Sequence, residues 1–226
     1  MRLHFQLSPN LQLVPFTYPH FLVGRVHRWL DKNALHDALS LYSIGWLQSG
    51  HGRKDGLIFP DGARWFISAP DTPEGDDLLS RIVSAAQSDP MVCCGMEVTQ
   101  ISAQRTPDFG PRHVFRADSP IFLRGDRTPD GYDPHLIYSD EAADTVLTRV
   151  LHKKLAAAGL SDHIEGATLR FDRSFRTPKT RLIQIQESKK RVTVCPVIAE
   201  GPKEAIQFVW NTGAGHLTGC AFGSLI

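Results

Sequence analysis

The chain has 226 residues, 42% of them hydrophobic and 22% charged, with a formal net charge of +1. That length suits one large domain or two of about a hundred residues, each big enough for its own apolar core, and the near-neutral total excludes readings that need a globally basic or acidic chain. No run reaches the ~18 apolar residues of a membrane span, the N-terminus MRLHFQL lacks the apolar core of a signal peptide, and Cys93, Cys94, Cys195 and Cys220 form no CxxC pair, so the expectation is a cytoplasmic protein with free thiols and no membrane partner.

Residues 2–7 alternate Leu3, Phe5 and Leu7 with polar neighbours, the period of a half-buried strand. Phe21, Leu22, Val26, Trp29 and Leu30 then recur at helical spacing until Asp31-Lys32-Asn33, and Asn33 is placed to cap a second short helix through Leu39. Strands are predicted at 42–47 and 63–69, with turn material at 49–56 between them, followed by an amphipathic helix at 74–87 and a strand at 92–102. The order β, α, β, β, α, β is that of a ferredoxin-like domain.

The second half repeats the order. A strand at 114–123, bent at Ser119-Pro120, precedes a helix at 141–157, strands at 167–171, 181–186 and 191–199, a helix at 202–210 and a last short strand at 218–225. The predicted class is α+β, two tandem ferredoxin-like (RRM-like) βαββαβ domains, 1–108 and 109–226, joined by a connector at 106–111.

Charge is uneven along the chain. Between 149 and 191 eleven basic residues stand against four acidic ones, the footprint of a polyanion site. Arg170, Arg173, Arg176, Lys179 and Arg181 alternate with Phe171 and Phe175, and Lys189, Lys190 and Arg191 follow in the next turn. Cations there can meet phosphates while an exposed ring stacks on a base, although solvated hairpin turns give the same composition.

The C-terminal stretch GAGHLTGCAFG poses a separate question. It has no GK[ST] for a Walker loop, and after Thr218 only eight residues remain, too few for the helix of a dinucleotide fingerprint. A helix, a turn with backbone N–H groups facing an anion, and a final strand is the remaining phosphate-binding arrangement, with Gly213, Gly215 and Gly223 supplying positive φ or close approach. A plain helix C-cap at Gly213 is the alternative.

In its position after a pair of ferredoxin-like halves, this stretch resembles the G-x-G-x5-G-x-G loop of the CRISPR-associated repeat-processing endoribonucleases, the Cas-six family of the RAMP superfamily. Gly213, Gly215 and Gly223 occupy three of the four glycine positions, Ala221 stands at the third, Gly219 is additional, and the spacer has no Lys or Arg. Tyr18-Pro19, the segment ALHDALSLYSIGWL and the strand WFISA resemble the family's N-terminal half. The resemblance implies binding of CRISPR repeat RNA (precursor crRNA), association with other CRISPR effector subunits, and cofactor-free, metal-independent cleavage leaving a 2′,3′-cyclic phosphate and a 5′-OH. Together with the charge pattern above, the expected RNA contacts are Arg170, Arg173, Arg176, Lys179, Arg181, Lys189, Lys190, Arg191, Gly213, Gly215, His216 and Gly223.

Such cleavage needs a base for the 2′-OH, an acid for the leaving 5′-oxygen and a cation for the phosphorane, and histidine, with a reference pKa of about 6.5, suits the first two. Of the ten histidines, His36 stands where the family's helix-end catalytic histidine falls, and His27 where relatives carry a catalytic tyrosine. Nine residues at ~100° each would put these two on opposite faces of an unbroken helix, so joint action requires the break at 31–33. Arg25, Arg28, Lys32, Arg53 and Lys54 are the candidate cations, and no HxxxH or HExxH spacing supports a metal. His4, His20, His51, His113, His135, His152 and His163 are expected to be structural or surface groups. A two-histidine phosphoesterase fails by one motif, since only His216-Leu217-Thr218 reads H-x-[ST], and aromatic RNP motifs of an RNA-recognition module are missing. A noncatalytic RAMP subunit that binds guide RNA remains the alternative function.

Overall fold

The computed structural model of the protein describes residues 1–30, 39–185 and 188–226. Its first half runs β1 (Arg2–Leu7), α1 (Pro19–Trp29), β2 (Ser43–Ile44), β3 (His51–Arg53), β4 (Gly56–Ile58), β5 (Ala63–Ser68), α2 (Pro73–Ser88), β6 (Met91–Cys93) and β7 (Met96–Gln104). β1 is the centre of an antiparallel sheet ordered β2-β5-β1-β7-β6, in which Phe5 pairs with Trp65 on one side and Ile101 on the other. The alternation in β1 buries Leu3, Phe5 and Leu7 beneath Leu22, Val26 and Trp29 of α1 and Leu79, Ile82 and Ala86 of α2, and Trp29 stacks on Phe5 at 5.9 Å. Thr72 caps α2 by accepting from the Gly75 N–H at 3.2 Å, with Pro73 in the first turn and Glu74 and Asp76 favourably placed against the helix dipole.

The second half runs β8 (Arg112–Phe115), β9 (Leu123–Arg124), β10 (His135–Leu136), α3 (Ala142–Ala157), β11 (Thr168–Phe171), β12 (Lys179–Ile185), β13 (Ser188–Val194), β14 (Val197–Glu200) and α4 (Lys203–Thr212). Its sheet is ordered β11-β14-β8, and β8 is continued by a terminal pairing of Ala117 with Leu225. Without the β3–β4, β9–β10 and β12–β13 hairpins and the edge strand β6, both halves are the same βαββαβ unit, with the third strand next to the first. The fold is a tandem of ferredoxin-like halves, each with its own apolar core.

Polar groups join the halves. Arg2 is buried with its guanidinium 4.0 Å from the Phe66 ring and 3.9 Å from that of Trp210, and it donates to Ser68 Oγ (2.7 Å), Leu225 O (2.8 Å) and Trp210 O (3.2 Å). Asp118 accepts from the Trp46 N–H (2.9 Å), Gln48 Nε2 (2.7 Å) and Ser224 Oγ (2.9 Å).

Several expected elements differ in detail. The strand expected at 92–102 is two strands around a Cys94-Gly95 turn with φ of 50° and 78°, the mirror-image geometry that suits tight hairpins. The strand expected at 191–199 divides at Cys195-Pro196, where proline has no N–H for a ladder. The strand expected at 114–123 ends at Phe115, and the one at 218–225 begins instead as a 3-10 turn, Thr218–Cys220. The turn material at 49–56 belongs to the β3–β4 hairpin, anchored by pairing of Leu57 with Val14. The short helix expected at 33–39 lies outside the described residues, Leu39 excepted.

Candidate nucleic-acid interface

The basic segment forms the β12–β13 hairpin, with Arg181 opposite Val192, Leu182 opposite Arg191 and Gln184 opposite Lys189. Because side chains alternate across a strand, Lys179, Arg181, Ile183 and Ile185 share a face with Lys190 and Val192, while Leu182 shares the other with Lys189 and Arg191. The first face packs Val192, Ile183 and Ile185 against Phe122 and Phe222. The second is open, with Leu182 64% exposed between charged neighbours.

The predicted RNA-contacting cations divide into two groups. Arg173 is a clamp, bound to the Asp144 carboxylate and donating to Tyr138 O at 3.1 Å and Asp140 O at 3.4 Å, so it orders the start of α3. Arg170 lies 3.6 Å from Glu200, which Arg112 also approaches at 2.9 Å. Arg176, Lys179, Arg181, Lys189 and Arg191 are exposed, and among the described residues none has an acidic partner. Those five leave a field of uncompensated charge that extends from Phe175, itself 40% exposed, along the hairpin.

The glycine stretch packs closely against the protein's own backbone. A Cβ on Gly223 (φ 63°) would lie 2.0 Å from Ala214 O, on Gly213 (φ 75°) 2.5 Å from Gly223 O, and on Gly215 (φ 78°) 2.6 Å from Phe122 O. The N–H groups of Gly213 and Gly223 donate to Val209 O at 2.8 Å and Pro120 O at 2.9 Å. Gly213, Gly215 and Gly223 each allow a close approach to the protein's own backbone that a side chain would block. Ala221, at the position where a glycine is expected, keeps the left-handed backbone at φ 62°.

His216 projects from that stretch. Its N–H donates to Phe122 O at 2.9 Å and its Nδ1 accepts from the Arg124 N–H at 3.2 Å. Burial, reinforced by Arg124, Lys154, Lys153 and Arg149, pushes its pKa down to about 4, so the imidazole is neutral at physiological pH. Of these cations, Lys153 and Arg149, the latter paired with Asp126 at 2.6 Å, lie in the basic window at 149–191, but nothing local in the sequence marks Arg124.

His27 lies half-buried on α1, which packs against the Thr218–Cys220 turn. The helix ends at Trp29 with Leu30 as its C-cap, so it stops before Asp31. His36 and Lys32 lie outside the described residues. The chain is again described from Leu39, where Ser40 Oγ and Tyr42 Oη flank Gly219 and Tyr42 O accepts from Thr218 Oγ1 at 2.9 Å. Of the other candidate cations, Arg25 is 11% exposed and held by Asp89 at 2.5 Å, Arg28 is exposed on α1, and Arg53 and Lys54 stand at the tip of the β3–β4 hairpin. Among the described residues there is no group of three or more His, Cys, Asp or Glu placed to hold a metal, and no helix is long and apolar enough to cross a membrane.

The class these observations define is a tandem ferredoxin-like α+β protein with a basic hairpin in its second half. Residues 104–225 match the family model "CRISPR associated protein Cas6, C-terminal", and the chain belongs to that family. Among solved structures, a Cas6-related gene product from Pyrococcus furiosus is 18% identical with a TM-score of 0.84 over 100% of this chain and 97% of that one. A RAMP protein binding different RNA substrates is 19% identical with a TM-score of 0.84 (100% and 99%), and a Cas6 product complex is 14% identical with a TM-score of 0.67 (100% and 98%). Comparison with curated protein sequences gives no match.

Proposed function

We propose that the chain is a metal-independent endoribonuclease that binds CRISPR repeat RNA and cuts precursor crRNA by attack of a ribose 2′-OH on the adjacent phosphorus. The products are a 2′,3′-cyclic phosphate and a 5′-OH. The observation that carries this reading is the β12–β13 hairpin, whose cations lack acidic partners among the described residues, within the half that matches the family. Arg112 and Arg170, by contrast, are paired with Glu200.

In this mechanism the hairpin and the surface beside it hold the phosphate backbone, and much of the rate gain comes from fixing the 2′-oxygen, phosphorus and 5′-oxygen in line. His27 and His36 act as the general acid–base pair, with exposed Arg28 as a cation for the phosphorane. The end of α1 at Trp29 is consistent with this assignment, because an unbroken helix would put the two histidines on opposite faces.

The test is incubation of the protein, in excess chelator, with the repeat transcript encoded beside its gene. One cut with a cyclic-phosphate end is expected, slowed about 10²- to 10⁴-fold in His27→Ala and His36→Ala with affinity nearly unchanged. Tight binding with no cut would overturn the catalytic reading in favour of a noncatalytic RNA-binding subunit.

A further inference from the structure

Two imidazoles stand edge-on to the buried Phe122: His135 at 4.9 Å and 79°, and His216 at 6.3 Å and 64°. Each uses Nδ1 to accept a backbone N–H, His216 from Arg124 at 3.2 Å and His135 from Arg191 at 3.3 Å. An imidazole whose Nδ1 accepts carries its one proton on Nε2 and is neutral. Neither Nε2–H has a protein acceptor among the described residues.

Cations frame the same ring. Lys190 Nζ lies 5.4 Å over Phe122, and Arg124, 46% exposed, pairs with His135 in the β9–β10 ladder. The nearby carboxylate, Asp133, is shared at 3.9 Å with Arg124 and 3.8 Å with Arg127, which leaves the cluster net positive. Lys190 and the Arg191 N–H both come from β13, so the cluster is continuous with the basic hairpin.

We propose that Arg124, Lys190 and the Nε2–H groups of His135 and His216 form a seat for an RNA backbone phosphate, in which the two imidazoles serve as neutral hydrogen-bond donors. The proposal rests on the RNA-binding reading above and adds to it a second contact surface beside the hairpin. Two cations supply attraction without direction, and two oriented N–H groups supply direction without needing charge. Protonating either imidazole would break its bond to a backbone N–H, and the surroundings oppose it. His216 faces Arg124, Lys153, Lys154 and Arg149, while His135 faces Lys190 and Arg124 against Asp133 alone. Burial and these cations lower the pKa of both imidazoles, that of His216 to about 4, so both favour the neutral donor form at physiological pH.

The probe is fluorescently labelled oligouridylate, which offers backbone phosphates without a repeat sequence or stem, titrated in anisotropy at several salt concentrations. Arg124→Ala/Lys190→Ala is expected to bind about tenfold more weakly, with the salt slope reduced by roughly one. Wild-type affinity is expected to be flat between pH 7.5 and 8.5. Long-range ¹H–¹⁵N spectra of the imidazoles should show Nε2–H tautomers at pH 8 for both His135 and His216, with those signals shifting as oligouridylate is added. An unchanged salt slope in the double variant, Nδ1–H tautomers at pH 8, or Nε2–H signals indifferent to oligouridylate would each overturn the seat. Cleavage of the repeat transcript at saturating concentration separates the two readings. A variant that binds oligouridylate as the wild type does, while cleavage persists, removes the seat and spares the nuclease. Weakened oligouridylate binding in a protein that never cuts the repeat keeps the seat and removes the nuclease.

Discussion

Replacement of Lys154 by methionine should make the difference in stability between variant and wild type depend on pH, because the ammonium is buried without a counter-charge. Lys154 is 2% exposed on α3, and Nζ donates to Thr212 O at 3.0 Å and Thr218 Oγ1 at 2.9 Å. Burial lowers its pKa from 10.5 to about 7. At ~1.4 kcal/mol per pH unit, that drop corresponds to about 5 kcal/mol of penalty on the charged form. Below pH 7 the folded and unfolded chains both carry the proton, and the penalty is borne in full. Between pH 7 and 10.5 the unfolded chain holds the proton and the folded chain does not, so wild-type stability rises with pH by ~1.4 kcal/mol per unit. Lys154→Met removes this rise and leaves two acceptors without a donor, at a cost of about 1–3 kcal/mol each. The two effects nearly cancel at pH 6.5, and at pH 9.5 the variant falls behind by a further ~3 kcal/mol. Urea denaturation at pH 6.5, 8 and 9.5 reads the gap directly, since titrations common to both proteins drop out of the difference. A gap that does not change with pH would refute the reasoning.

Arg2→Met should lower stability by about 3 kcal/mol, since it takes the donor from three acceptors and removes two cation–ring contacts at the junction of the halves, and the midpoint of thermal unfolding should fall by roughly 6–12 °C. Gly223→Ala should cost at least ~2 kcal/mol, as its methyl would meet Ala214 O at 2.0 Å, whereas Gly24→Ala, with nothing within 4 Å, should stabilise α1 by about 0.5–1 kcal/mol; equal effects in denaturation would contradict the close-approach argument. Charge reversal at Arg176, Lys179 and Arg181 should weaken binding of repeat RNA and flatten its salt dependence by about 0.7 per lost single-strand phosphate contact, while an unchanged slope would take the hairpin out of the interface.

The alternation of Leu3, Phe5 and Leu7 and the apolar stripe of α2 made the layered fold legible, because both periods are set by which face is buried. The tandem arrangement followed from the order of these elements. The β3–β4 hairpin escaped notice since HGRKDGLI has no apolar alternation, and its stability comes from Val14 far upstream. The turn at Cys94-Gly95 was hidden inside an apolar run whose composition suits an unbroken strand. Of the candidate site, the basic hairpin was visible as local charge, but the separation of clamping Arg173 from the uncompensated cations depends on where Asp144 lies in space. His135 was read as a surface or structural group for the same reason: only the fold brings it beside Phe122 and His216.

The glycine stretch carries the most specific sequence signal, and its glycines face inward. The stretch nonetheless reaches most parts of the proposed site. Thr218 links Lys154 of α3 to Tyr42, Ala221 O accepts from Trp46 Nε1 at 2.7 Å, the Thr218–Cys220 turn packs against the helix that carries His27, and His216 receives the Arg124 N–H. A bulky residue at Gly213, Gly215 or Gly223 must therefore displace backbone that positions the surface beside the hairpin and the helix of the proposed base. Its loss of RNA binding would resemble the loss of a direct phosphate contact. The salt slope distinguishes the cases: removing a contact lowers it, whereas a fraction of misfolded protein lowers the apparent active concentration and leaves the slope of the remainder unchanged.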